Sequence, residues 1–222
     1  MKNDKKVILK VLVGSRAHGL HSEDSDYDYR SVYVLPTSDI LSIGYKYKGN
    51  DWLEGETEDN TSYEIGHFLS LAVQCNPTIL EIFRAPVITS NQDGDNLRDL
   101  FPCIWSPKKC FDAFVGYGLN QRKKFLDRKD NRQNKYAVAY IRVLWQLIKL
   151  LKTNELSVAI DNIDIKELLL RWKHGDYTMG DVINCSETAI EEAKKLLEDC
   201  KHVPDLTKVN QFLVSIRKQY WE

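Results

Sequence analysis

Two kinds of hydrophobic spacing divide this chain, and the change falls near Pro102 and Pro107. Upstream, apolar residues come in short runs rich in β-branched side chains, such as Val7 to Val13. Downstream, four long stretches repeat apolar residues at helical spacing: Cys110 to Asp127, Lys135 to Leu151, Ile183 to Cys200 and Leu206 to Trp221. Ile163 to Trp172 is a shorter fifth, and Leu144, Leu147, Ile148 and Leu151 trace one such apolar face. This spacing predicts an α+β chain. Residues 1–105 would form a small mixed β-sheet flanked by helices, and residues 106–222 an all-helical half.

Within the first half, Val7 to Val13 reads as a buried strand that breaks into a turn at Gly14-Ser15. Arg16 to His21 is a short helix or loop, and Ser22 to Ser25 is polar. Tyr27, Tyr29, Val32 and Val34 favour extended structure, so a second strand is predicted over Asp26 to Leu35, stopped by Pro36. Gly49-Asn50 signals a hairpin between aromatic-rich segments (Tyr45, Tyr47, then Trp52, Leu53), leading to a third strand near Thr61 to Glu64. Ile65 to Val73 has helical spacing, Asn76-Pro77 breaks it, and Thr78 to Phe83 is a second helical piece.

Charge and composition exclude several classes. The net charge of −1 lacks the strong positive field of a dedicated nucleic-acid binder, while leaving room for a local basic groove. No apolar run approaches the ~20 residues that span a bilayer. The short Val7 to Val13 run is followed by Gly-Ser-Arg rather than a cleavage site, so no signal peptide is expected and the chain reads as cytosolic. Five cysteines (Cys75, Cys103, Cys110, Cys185, Cys200), none in a Cys-x-x-Cys pair, read as reduced thiols without a zinc site.

The chemistry concentrates around the first turn. In an extended segment, successive side chains alternate, so Asp26 and Asp28 would project together, about 6.6 Å apart at ~3.3 Å per residue. Tyr27 and Tyr29 would then point into the packed face. Two carboxylates on one side repel unless a cation lies between them, and hard Mg²⁺ (or Mn²⁺) ions take such oxygens while leaving positions for water and triphosphate. Gly14 would let backbone approach a phosphate, and the turn amides with the Ser15 hydroxyl could donate to it. The absence of a Gly-Lys-Ser/Thr sequence at that turn separates it from a P-loop.

Gly14-Ser15 followed by Asp26-Tyr27-Asp28 resembles the signature of DNA polymerase beta-like nucleotidyltransferases. The string GSRAHGLHSEDSDYDYRSVYV resembles the RNA-ligase-associated polymerase-beta (RlaP-like) branch. YEIGHFLSLAVQCNPTILEIF, KYAVAYIRVLWQLIKLLKTNEL and LTKVNQFLVSIRKQYW fit the same branch more weakly. The resemblance implies a nucleotidyltransferase domain over residues 1–105 and a helical domain over 106–222. It implies transfer of a nucleoside monophosphate from an NTP to a hydroxyl, with RNA ends as the suggested acceptor and two divalent metals. A third metal-binding carboxylate is implied on a neighbouring strand. Glu64 is the candidate and Asp59 the rival, while Glu81 reads more simply as a surface or packing residue. Ser15 would hold β/γ-phosphates with Arg16 as charge partner. Lys135 and Arg142, two turns apart on one helix face, are further nucleotide-binding candidates. Where the family often places a His between them, this chain has Val138 and Ala139.

Other features carry two readings. The acceptor could instead be a protein side chain or a small molecule, and the fold could survive as an inactive nucleotide-binding module. His18 and His21 read as a structural or substrate-contacting pair, and Arg30 as an ion-pair or packing residue. The cluster Arg122, Lys123, Lys124, Arg128, Lys129 and Arg132 is either a polynucleotide track or a solvated face. Trp145, Trp172, Tyr220 and Trp221 read as core.

Overall fold

A computed structural model describes residues 5–48, 51–53, 55–57 and 60–222. Strand β1 (Lys6–Val13) runs directly into helix α1 (Gly14–His18), which Gly19 closes in the left-handed region at φ 71°. A loop leads to β2 (Asp28–Val34), followed by α2 (Thr37–Ile40), β3 (Ser62–Glu64) and α3 (Ile65–Ala72). Asn76 caps α4 (Pro77–Leu80) by accepting from the Thr78 amide at 3.0 Å, with proline at the first helical position where no N–H is needed. A 3₁₀ turn (Glu81–Phe83), β4 (Val87–Ser90), α5 (Gln92–Asp99) and α6 (Phe101–Ile104) complete this part. Helices α7 (Pro107–Asp127), α8 (Gln133–Thr153), α9 (Ile163–Lys173), α10 (Met179–Asp199) and α11 (Leu206–Gln219) follow.

The sheet is mixed, in the order β3-β2-β1-β4. β1 is antiparallel to β2 and β4, whereas β2 and β3 are parallel. Val13 pairs with Asp28, so β1 ends where β2 begins and the following turn lies beside the first residue of β2. Register partners share a face. Asp28 and Arg30 therefore lie on the side of Val13 and Val11, the packed side that also holds buried Leu9 and Val32. Tyr29, opposite Leu12, lies on the other side, with the Lys10 ammonium 4.7 Å from its ring centre. This reverses the expectation that the tyrosines fill the packed face. The strand starts at Asp28 rather than Asp26, and Tyr27 precedes it, 59% exposed. Asp28 can occupy the packed side because cavities open there, described below.

Among the described residues no strands flank the expected hairpin turn. Gly49 and Asn50 lie outside the described residues, and Tyr45, Tyr47, Trp52 and Leu53 belong to no strand. Strand β4 was not anticipated; its residues are all exposed and carry no inward-facing alternation to read.

In the helical half, Ser106 and Pro107 start α7, and the ladder ends at Arg128 in the left-handed region. Helix α8 buries Tyr140, Val143, Leu144, Leu147, Leu150 and Leu151. A Cβ on Gly118 would stand 2.9 Å from the Tyr140 ring, so glycine allows α7 this close to α8. Helices α9 and α10 pack on the same α8. Helix α11 returns to the sheet half. Thr37 donates its amide to the Tyr220 carbonyl at 2.7 Å, and the Tyr220 hydroxyl donates to Asp93 at 2.7 Å. Buried apolar residues form one continuous core from Ile8 to Ile216. All five cysteines are free thiols, and no helix among the described residues is long and apolar enough to cross a membrane.

Candidate active site

A cleft of about 490 Å³ opens where α1, the following loop and the start of β2 face helices α8 and α9. Its size is within the range of small-ligand pockets. Asp24, Asp26 and Asp28 line it from the sheet half, and Lys135, Arg142 and Lys173 from the helices, with Ser15 and His18 also lining it. Beside it a recess of about 320 Å³ is bordered by Gly14, His18, Asp28, Arg30, Thr78, Glu81 and Arg142. Asp28, His18 and Arg142 belong to both.

The turn and the acid fit each other closely. Gly14 has φ +71°, and a Cβ built on it would lie 2.4 Å from Asp28 Oδ2. Glycine here serves two needs: a left-handed backbone, and room for a carboxylate against the main chain. The close approach anticipated for a phosphate is thus made by the protein's own Asp28.

The loop carrying the acids is braced by Arg16. Its Nε and Nη2 donate to the Ser25 carbonyl at 3.0 and 2.7 Å, and Nη2 donates to the Glu23 carbonyl at 3.1 Å. The guanidinium also lies 3.8 Å from the Tyr27 ring centre. Arg16 does not line the cleft, and the contacts of its guanidinium are with the loop that carries the acids. Further along, Lys173 Nζ donates to the Leu20 carbonyl at 2.8 Å, and the Ile160 amide donates to the His18 carbonyl at 3.1 Å.

Beneath the cleft His18, Arg142 and Glu81, which the sequence suggested for separate roles, come together as one buried charged group. His18 Nε2 lies 3.0 Å from Glu81 Oε1, and Arg142 Nη1 lies 3.8 Å from Glu81 Oε2 while donating to Gln146 at 2.8 Å. Burial, with the nearby Arg142 charge, lowers the His18 pKa below its ordinary value. Burial acts to raise the Glu81 pKa, but the charges and hydrogen bond of His18, with Arg142 and Arg30, outweigh it and hold the carboxyl below its usual range. The pair Arg142 and ionised Glu81 is the state that burial tolerates here. One signal was available: Glu81 interrupts a run in which Ile79, Leu80, Ile82 and Phe83 are all buried, and an acid there needs a buried partner. Lys173 carries no comparable local signal.

Glu64 is elsewhere. It sits at the end of β3 opposite Tyr33, on the other face from Asp28 and five positions further along β2. It caps α3, accepting from the Gly66 amide at 2.7 Å, and faces Arg217 of α11 across contacts of 2.7 and 2.8 Å. It lines neither cavity: the structure does not bring the expected third metal ligand together with Asp26 and Asp28, and pairs it with Arg217. Asp59 lies outside the described residues. His21 is exposed and does not line the cleft.

Among the described residues, no three His, Cys, Asp or Glu side chains are grouped to hold a metal ion. Asp26 and Asp28 nevertheless supply two hard oxygen donors to one cleft, opposite cations suited to phosphate. This donor set suits a divalent ion whose other ligands are phosphate oxygens and water.

Residues 1–215 match the RNA repair pathway DNA polymerase beta family (RlaP). The chain is 26% identical over 133 residues to the uncharacterised protein YcgL of Bacillus subtilis (strain 168), covering 59% of this chain and 51% of YcgL. It is 26% identical over 135 residues to an uncharacterised 38.9 kDa protein from the nrdC-mobD intergenic region of Enterobacteria phage T4. That match covers 54% of this chain and 39% of the phage protein, so the chain spans about half or less of the curated relatives it matches. A crystal structure of a nucleotidyltransferase-like protein from Exiguobacterium sibiricum overlaps 96% of this chain and 74% of that one, at 11% identity and a TM-score of 0.26. That overlap is too loose to carry weight.

Proposed function

Because the chain belongs to the RNA repair pathway DNA polymerase beta family, a nucleotidyltransferase family, we propose that it transfers a nucleoside monophosphate from an NTP to an acceptor hydroxyl within this cleft. The observation that carries the reading is the opposition of charge. Asp26 and Asp28 line one wall, and Lys135, Arg142 and Lys173 the other. A triphosphate bridges such walls: the cations take its oxygens, and the acids take the counterion it brings.

In this reading Asp26 and Asp28 hold a divalent cation (Mg²⁺ or Mn²⁺), which supplies charge neutralisation on the phosphates when bound. Ser15 donates its hydroxyl to a phosphate oxygen. Lys135 and Lys173 hold the outgoing end of the triphosphate, and Arg142 is kept in place by Glu81 and Gln146. The acceptor oxygen bonds to the α-phosphorus, the bond to the bridging oxygen breaks, pyrophosphate leaves, and the hydroxyl proton passes to solvent. Gly14 contributes by leaving room for Asp28.

The test is incubation with each labelled NTP, Mg²⁺ or Mn²⁺, and a mixed pool of RNA, DNA and protein, with label and pyrophosphate followed separately. Loss of a group that only orients a metal ligand commonly costs about 10–100-fold, so removing a direct ligand by Asp28→Asn is expected to lower transfer at least about 100-fold. The variant should remain folded, since Asp28 is a half-buried residue at the mouth of a cleft. Full activity in Asp28→Asn would sink the assignment. Label on protein or on a small molecule would redirect the acceptor, and NTP binding without pyrophosphate release would mark an inactive module.

A further inference from the structure

Between Arg122 and Lys135 the sequence holds seven Lys or Arg and two Asp, in a chain whose net charge is −1. The remainder of the chain is therefore net acidic, and this segment carries a local excess of positive charge. In the fold these residues form a single tip, made of the last turns of α7, the loop after it and the first turn of α8. Lys123, Lys124, Arg128 and Lys129 are exposed there.

Internal pairing uses only part of this charge. Arg122 lies 3.7 Å from Glu187, Lys129 3.9 Å from Asp127, and Arg132 2.7 Å from Asp130. Lys123, Lys124 and Arg128 have no acidic partner among the described residues. Crowding unpaired cations costs self-repulsion, which an external polyanion relieves. The tip also holds an aromatic ring: Lys124 Nζ and the Arg132 guanidinium each lie 5.7 Å from the centre of half-buried Tyr136.

The tip leads into the candidate active site. Tyr136 follows Lys135, which lines the cleft, and Asn134 donates to the Lys173 carbonyl at 3.2 Å, tying α8 to a second cleft cation. Positive charge thus continues from Lys124, Arg128 and Arg132 at the tip to Lys135 and Lys173 at the wall and Arg142 at the floor. The cleft, at about 490 Å³, has the capacity of a small-ligand pocket and admits one strand end beside a nucleotide, not a duplex.

We propose that this tip binds the sugar-phosphate backbone of a single-stranded polynucleotide and directs its terminal hydroxyl into the cleft as acceptor. The inference rests on the transferase reading for its outcome, but the binding surface stands on charge placement. Backbone phosphates lie on Lys123, Lys124 and Arg128, and a base near the strand end meets Tyr136.

The test uses the whole protein and its Lys123→Gln/Lys124→Gln/Arg128→Gln variant, all three positions being solvent-facing and outside the cleft. Fluorescence anisotropy follows binding of labelled single-stranded RNA and DNA of about 12 nucleotides, the matching duplexes, and a polyglutamate peptide. Salt is varied upward from about 50 mM. Wild type is expected to prefer a single strand, the RNA and DNA arms deciding which sugar is favoured. Three lost phosphate contacts should make the plot of log affinity against log salt shallower by about 2 and weaken binding at least tenfold. NTP binding, measured separately, should be unchanged in the variant. Unaltered affinity and salt slope in the variant, no binding by wild type at low salt, or equal binding of polyglutamate would each overturn the proposal. A wild type that holds polynucleotide at the tip but no NTP would overturn the transferase reading and leave the binding surface standing.

Discussion

Gly14 and Asp28 show how one backbone atom set can decide the chemistry of a site. A methyl group at position 14 meets Asp28 Oδ2 at 2.4 Å on a backbone already at φ +71°. Gly14→Ala is expected to cost about 1–2 kcal/mol from the left-handed conformation alone, and to displace the carboxylate. Chemical denaturation checks the first effect. Divalent-ion and NTP affinity of the folded variant check the second, and unchanged affinity would show that Asp28 moves freely. At this scale the sequence was most readable where the motif is local, because a strand end, a glycine and a nearby acid depend on neighbours in the chain. It was least readable where a partner is distant. That Arg16 binds the Ser25 and Glu23 carbonyls depends on how the loop folds back, which its neighbours in the chain do not reveal. Lys173 had no motif around it at all. The facing of Tyr29 followed from pairing between β1 and β2, which alternation within one strand cannot fix.

Among elements, the pairing of β3 with α11 has the clearest consequence. Glu64 is 3% exposed and meets Arg217 from a helix that begins more than 140 residues later. Removing one partner leaves a buried charge, so Arg217→Ala should cost about 3–5 kcal/mol. Glu64→Gln should be destabilising too, and Glu64→Gln/Arg217→Met should lose less than the two single changes combined. Urea unfolding measures all three. A Glu64→Gln protein of normal stability that has lost divalent-ion binding would restore Glu64 to the metal site. The long helices were legible because their apolar faces repeat over several turns: α9 was expected over Ile163 to Trp172 and runs Ile163–Lys173. The short pieces were not. Strand β4 exposes every residue, and α2 and α6 are four residues each, too short for periodicity to speak.

For the molecule as a whole, the change of pattern near Pro107 marks a change of element type across an uninterrupted interior. The core runs from Ile8 through Phe101 and Leu147 to Ile216 without a break, and α11 packs against α3 and α6. Unfolding is therefore expected to be one transition, with far-UV circular dichroism and tryptophan fluorescence coinciding in urea. Leu147→Ala should shift both signals together by about 2–5 kcal/mol. Two separated transitions would show that the halves fold apart. Local patterning foretold both halves, but not the seam between them, which is built from contacts such as Lys173 to Leu20 and Tyr220 to Asp93.

The segment bearing the acids is moored at several points: by Arg16 to its own carbonyls, by Ile160 through His18, and by Lys173 through Leu20. Little freedom remains to be surrendered there when a guest arrives. Recognition can then follow lock-and-key lines, and affinity reflects complementarity instead of the entropy of assembling a mouth around its contents.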